Sequence, residues 1–136
     1  MTRSEAREAA VILVYQTYIQ KEQPNIIFDI YQSENETAKS VSLEYIKNTL
    51  MGVFENIDDI NARIKKYAKD WDLDRLSKLS YAILSVAIFE IIYTDTIPDA
   101  VAANEAVEMS KKYGEDKLPA FINGVLSSVI KSKAEG

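Results

Sequence analysis

An all-α fold of six or seven helices is what this sequence predicts, and three observations carry it. Apolar residues recur at three- and four-residue spacing, most clearly at Leu43, Ile46, Leu50, Val53 and Ile57. Strict apolar–polar alternation, the mark of a strand, never runs beyond a few residues. Glycine and proline are scarce, at 4 and 3, and the prolines lie far apart, so long helices run uninterrupted. At 136 residues and 47% hydrophobic, the chain has one domain's length and enough apolar surface for a real core.

Taken in order, Thr2-Arg3-Ser4-Glu5 matches a capping box, with Thr2 as N-cap and Glu5 at the third helical position. The helix that follows, to about Gln20, carries one stripe of Ala6, Ala9, Ala10, Leu13 and Thr17. Its other side is also apolar, with Val11, Ile12, Tyr15, Tyr18 and Ile19, so it is either central or has a second face for a partner. Arg3 and Arg7 project along one edge that continues through Val14 to Tyr18. On the residues alone, both arginines read as solvated surface. Pro24 opens a short helix of about two turns, Asn25 to Tyr31, and a polar loop follows from Ser33 to Thr37.

The stripe from Leu43 to Ile57 is continued by Ile60, Ile64 and Tyr67, with the Asn56–Asp59 cluster between them predicting two helices. Asp70-Trp71-Asp72-Leu73-Asp74 starts like a calcium loop. Arg75 then stands where such a loop needs glycine and Tyr81 where it needs glutamate, so a turn and N-cap are expected and no metal. From Leu79 to Tyr93 the only charge is Glu90. The run is too short and too polar to span a bilayer, which makes it the central buried helix.

The last third, Ile97 to Ile130, reads as a helix pair. Pro98 fits a helix start, Gly114 a stop, Asp116 the next N-cap, and Pro119 the first turn after it. In the first helix Ala102, Ala103, Ala106, Met109, Ser110 and Tyr113 form one face, small enough for close helix approach. In the second, Leu118, Ile122, Val125, Leu126, Val129 and Ile130 form the core stripe, while Asn123, Gly124, Ser127 and Lys131 face away. Phe121 sits about 60° outside the centre of that stripe. It is either a core-edge aromatic or a ring whose one side, next to Gly124 and Ser128, is left uncovered.

Composition narrows function by what is missing. There is no cysteine and no histidine, so thiol chemistry, the usual general base and the commonest transition-metal ligand are all absent. No Gly-rich phosphate loop appears, and no cofactor is implied. A binding protein is expected rather than an enzyme. The N-terminus lacks the hydrophobic run of a signal peptide, which points to the cytoplasm. A net charge of −5 opposes bulk attraction to nucleic acid. The acidic residues concentrate between 22 and 60, however, and the two ends are slightly basic.

These residues resemble the NusB family of bacterial transcription antitermination factors. The resemblance rests on Ile97-Pro98, Asn104-Glu105-Ala106-Val107-Glu108, Lys111-Lys112-Tyr113-Gly114 and Phe121-Ile122-Asn123-Gly124-Val125-Leu126. It extends to Ala6-Arg7-Glu8 with Tyr15-Gln16, and to Ala82-Ile83-Leu84 with Phe89-Glu90, covering almost the whole length. It implies a fold of two small helical bundles packed together. It also implies binding of boxA RNA jointly with the ribosomal small-subunit protein that acts as NusE, and through them an indirect role at transcribing RNA polymerase.

Carried over by residue, the resemblance maps first-helix RNA contacts onto Arg3 and Arg7, the RNA-contacting aromatic onto Phe121, and a tyrosine of the shared protein and RNA surface onto Tyr15. Lys117 and Lys131 flank Phe121 in sequence, and Asn123 and Gly124 fall within its motif. Tyr18 and Ser80 complete the expected protein-partner surface with Tyr15. The composite RNA site requires the first and last helices to lie side by side. Three other readings stay open: an interaction module with no RNA role; a relative of the NusB-like domain that precedes some ribosomal RNA methyltransferases; and a homodimer, in place of a monomer, that hides Arg3 and Arg7.

Overall fold

The structure, a computed structural model, describes residues 1–68, 76–113 and 116–135. Among these the chain forms α-helices only: α1 (Arg3–Gln20), α2 (Pro24–Glu34), α3 (Ser40–Glu55), α4 (Ile57–Tyr67), α5 (Lys78–Tyr93), α6 (Asp99–Tyr113) and α7 (Leu118–Glu135). The stretch Asp70–Asp74, read as a turn and cap, and Gly114, read as a helix stop, lie outside the described residues.

The capping box forms as expected: the Glu5 N–H donates to Thr2 Oγ1 at 3.1 Å, and the Thr2 N–H donates to Glu5 Oε1 at 2.8 Å. α1 ends at Lys21, whose φ of 54° puts a non-glycine residue in the left-handed region. α2 is longer than its apolar pattern suggests, because Ser33 hydrogen-bonds back to the Ile30 carbonyl and carries the helix into the expected loop. The joint after α3 is a single residue, Asn56, whose side-chain amide caps the Gly52 carbonyl at 2.8 Å. α6 begins one residue after Pro98, whose carbonyl accepts from Val101 and Ala102.

Two groups of helices meet at α5. α1, α2 and α3 pack on one another, α6 and α7 form an antiparallel hairpin, and α4 packs on α5 and α7. α5 touches α1, α3, α4, α6 and α7. Ala82 to Ile88 and Ile91 are all buried, so α5 is apolar all round and cannot face water. Close approach between α3 and α5 depends on Gly52, where an added Cβ would come within 2.2 Å of the Phe89 ring. No helix is long and apolar enough to cross a membrane among the described residues.

Candidate RNA and protein interface

The only charge in the α5 run, Glu90, is 1% exposed and needs a cation beside it. Arg7 supplies one across the bundle. Its Nε–H donates to Glu90 Oε1 at 2.7 Å and its NH2 group donates to Oε2 at 3.0 Å, a bidentate pair between side chains that are 4% and 1% exposed. Tyr45 of α3 adds a third donor, its hydroxyl reaching Oε1 at 3.2 Å. Burial alone pulls the Arg7 pKa down, yet the hydrogen bond and charge of Glu90 outweigh it and the net shift is upward. Burial, followed by the Glu90 charge, raises the Tyr45 hydroxyl pKa.

Arg7 is therefore a buried structural cation and not the solvated surface residue that the sequence alone suggests. Arg3, one turn earlier, remains exposed, and its guanidinium lies 4.1 Å from the centroid of the Tyr45 ring. Glu105 of α6 draws α1 onto the hairpin, accepting from Ser4 Oγ at 2.7 Å with Arg7 NH1 at 3.8 Å. Glu8 extends the same seam, accepting from Lys112 Nζ at 2.7 Å and from the Tyr113 hydroxyl.

Phe121 is 7% exposed and belongs to the core cluster. Of the two readings open for it, the core-edge aromatic is the one observed; its ring is not an uncovered stacking platform. Lys117 and Lys131 are exposed, but Lys131 lies ten residues on, about 15 Å along the helix axis, and cannot flank the ring. α7 packs on α6, α5 and α4, whereas α1 packs on α2, α3 and α5. The first and last helices are thus separated by the central one and do not form the side-by-side pair that the composite site required.

Both helices nevertheless reach the same end of α5. Lys133 Nζ bonds the Ile91 carbonyl at 2.8 Å and Asp99 at 3.0 Å, which places the C-terminal end of α7 at the same end of α5 as Glu90 and hence Arg3. Arg3 and Lys131 therefore belong to one end of the molecule, and Lys117 and Phe121 to the other. Asn123 and Gly124 are exposed on the outer face of α7. A Cβ at Gly124 would meet nothing within 4 Å, and its φ is not positive, so nothing in the fold requires glycine there. Gly124→Ala is expected to raise stability by about 1 kcal/mol, the helix-propensity difference, as measured by urea denaturation.

On the expected protein-partner surface, Tyr15 is half-buried against the core. Tyr18 is half-buried with edge-on contacts to Phe54 and Tyr81, both at 5.3 Å between centroids. Ser80 is 5% exposed, and its N–H and hydroxyl are both engaged with the Ser77 cap, at 3.1 and 2.7 Å. Ser80 is thus turned into the fold, and of this capping pair only Ser77 is exposed.

Two carboxylates at helix seams contribute to the acid response. Hydrogen bonds from Lys112 and then Tyr113 hold Glu8 below its ordinary 4.5, and bonds from Tyr93 and then Arg63 hold Asp59 below its ordinary 3.8. A carboxylate whose pKa is lowered by folding stabilises the native state above its ordinary value and loses that contribution as pH falls through the lowered one. Melting temperature is therefore expected to fall as pH drops below about 4.5, and less steeply in Glu8→Gln, by thermal denaturation across an acid series.

The fold and these surfaces define a class: an all-helical binding protein, with exposed cations and half-buried aromatics on an acidic body. The NusB family model matches residues 4–131, and the chain belongs to the NusB family. The transcription antitermination protein NusB of Acetivibrio thermocellus is 43% identical over 138 residues, spanning 98% of this chain and 91% of that one. The solved structure of T. maritima NusB superposes with a TM-score of 0.86 at 28% identity, covering 96% of this chain and 92% of that one. A NusB solved with NusE and double-stranded RNA gives 0.84 at 26% identity, covering 97% and 99%.

Proposed function

We propose that this protein is an RNA-binding antitermination adaptor of the cytoplasm. It grips boxA-type single-stranded RNA together with the ribosomal small-subunit protein acting as NusE, and so helps transcribing RNA polymerase through terminators in ribosomal RNA operons. The observation that carries this reading is the likeness, over 97% of the chain, to a NusB solved in complex with NusE and RNA. Physical chemistry supports a shared grip. With a net charge of −5, the body repels a polyanion, and the exposed cations Arg3, Lys117 and Lys131 are spread over both ends. Half-buried Tyr15 and Tyr18 offer aromatic surface of the kind enriched at protein interfaces.

Titrating a boxA-like RNA with and without the ribosomal-protein partner tests the reading. Weak binding alone and much tighter binding with the partner are expected, with Lys131→Ala reducing the salt dependence by about one phosphate contact. Equal affinities in the two titrations would sink the shared-grip model, and no binding in either would sink the RNA role.

A further inference from the structure

Beside the Arg3–Tyr45 contact is an open cavity of about 300 Å³, between the first turn of α1, α3 and the segment joining α5 to α6. This is the lower end of the size range for small-molecule sites, room for one base and its ribose. Its lining combines the apolar residues Phe89 and Ile97 with the polar residues Asn48, Thr96 and Glu44. Flat apolar faces with one hydrogen-bonding edge are the chemistry of a nucleobase, and proteins that read single strands stack splayed bases on rings and guanidinium planes.

Two features mark this cavity as a built site. Arg3 has no carboxylate in ion-pair contact among the described residues; its guanidinium lies over the Tyr45 ring at 4.1 Å while the residue stays exposed. Tyr45 is in turn fixed by its hydroxyl to Glu90 Oε1, the same oxygen that accepts from the buried Arg7. A cation that would otherwise sample many rotamers is thus positioned on a fixed ring at the mouth of the cavity.

We propose that this cavity takes one splayed nucleobase of the bound RNA, with Arg3 as the stacking wall, Tyr45 as its positioning residue, and Asn48 and Glu44 reading the base edge. A carboxylate only accepts, so Glu44 favours the exocyclic amino group of cytosine, adenine or guanine over uracil, whose one edge donor, N3–H, lies between two carbonyl oxygens that repel a carboxylate. The inference rests on the RNA-binding reading but can be tested apart from it.

The first arm titrates the full chain with free cytidine, adenosine and uridine, which carry no phosphate, and follows the Asn48 side-chain amide by NMR. Cytidine or adenosine is expected to shift that signal more than uridine does, and Arg3→Lys, which keeps the charge but loses the plane, to reduce the shift. The second arm measures boxA-like RNA affinity with the ribosomal-protein partner present. There Arg3→Lys is expected to weaken binding about tenfold, in the range of one lost stacking contact, with the salt dependence unchanged. An Asn48 signal that no nucleoside moves, or an Arg3→Lys protein that binds RNA like the wild type, overturns the proposal. Nucleoside shifts without RNA binding would instead overturn the antitermination reading and leave the base site standing.

Discussion

Arg7→Met is expected to cost about 3–5 kcal/mol of folding stability, although methionine fills much of the same volume. The loss comes from Glu90, left buried at 1% exposure without its cation and with only the Tyr45 hydroxyl to satisfy it. Glu90→Leu should be similarly damaging, since it strands the guanidinium against Glu105 at 3.8 Å. The double variant Arg7→Met/Glu90→Leu buries no unpaired charge at this position and should recover most of the stability. Urea denaturation of the three variants checks this, and additive single losses in the double variant would show that the two side chains do not act as a pair.

Phe121→Ala is expected to cost about 3–5 kcal/mol, the range for truncating a buried aromatic in a close-packed core. At 7% exposure the ring fills space among the helices, so its removal leaves a cavity. Phe121→Leu, which keeps most of the volume, should cost much less. Loss of RNA binding in Phe121→Ala would therefore report unfolding before it reported a contact. Measuring affinity in Phe121→Leu at matched stability separates the two effects: undiminished affinity is expected if the ring's role is packing.

Much of the fold was legible because helices announce themselves locally. Thr2 and Glu5 spell a cap, Leu43 to Ile57 spell a stripe, and fifteen nearly uncharged residues around Ile83 spell a central helix. Where local signals compete, boundaries moved: α2 runs to Glu34 because a serine side chain supports one more turn than the apolar pattern does. The site was less legible because side-chain partners come from distant positions. Glu90 stood out as a charge in an apolar run, and that was a usable signal that a cation must come to it. Which cation was not readable, as Arg7 is 83 positions away. Tyr45 lies off the α3 stripe and gave no signal. Phe121 stays ambiguous in the sequence because helical geometry places a side chain on a face but does not say how far the neighbouring helix wraps around it.

The sharing of Glu90 bears on how the chain could be divided. Its partners Arg7 and Tyr45 come from the first three helices, while Glu90 itself and Glu105 come from the later ones. A fragment of the first three helices would carry a guanidinium and a phenol shaped around an absent carboxylate. The complementary fragment would hold that carboxylate on a helix apolar on every side. Each would have to expose what the whole chain buries, and recombining the two in solution would restore both at once. The two groups of helices are thereby joined by a charge that neither can accommodate by itself.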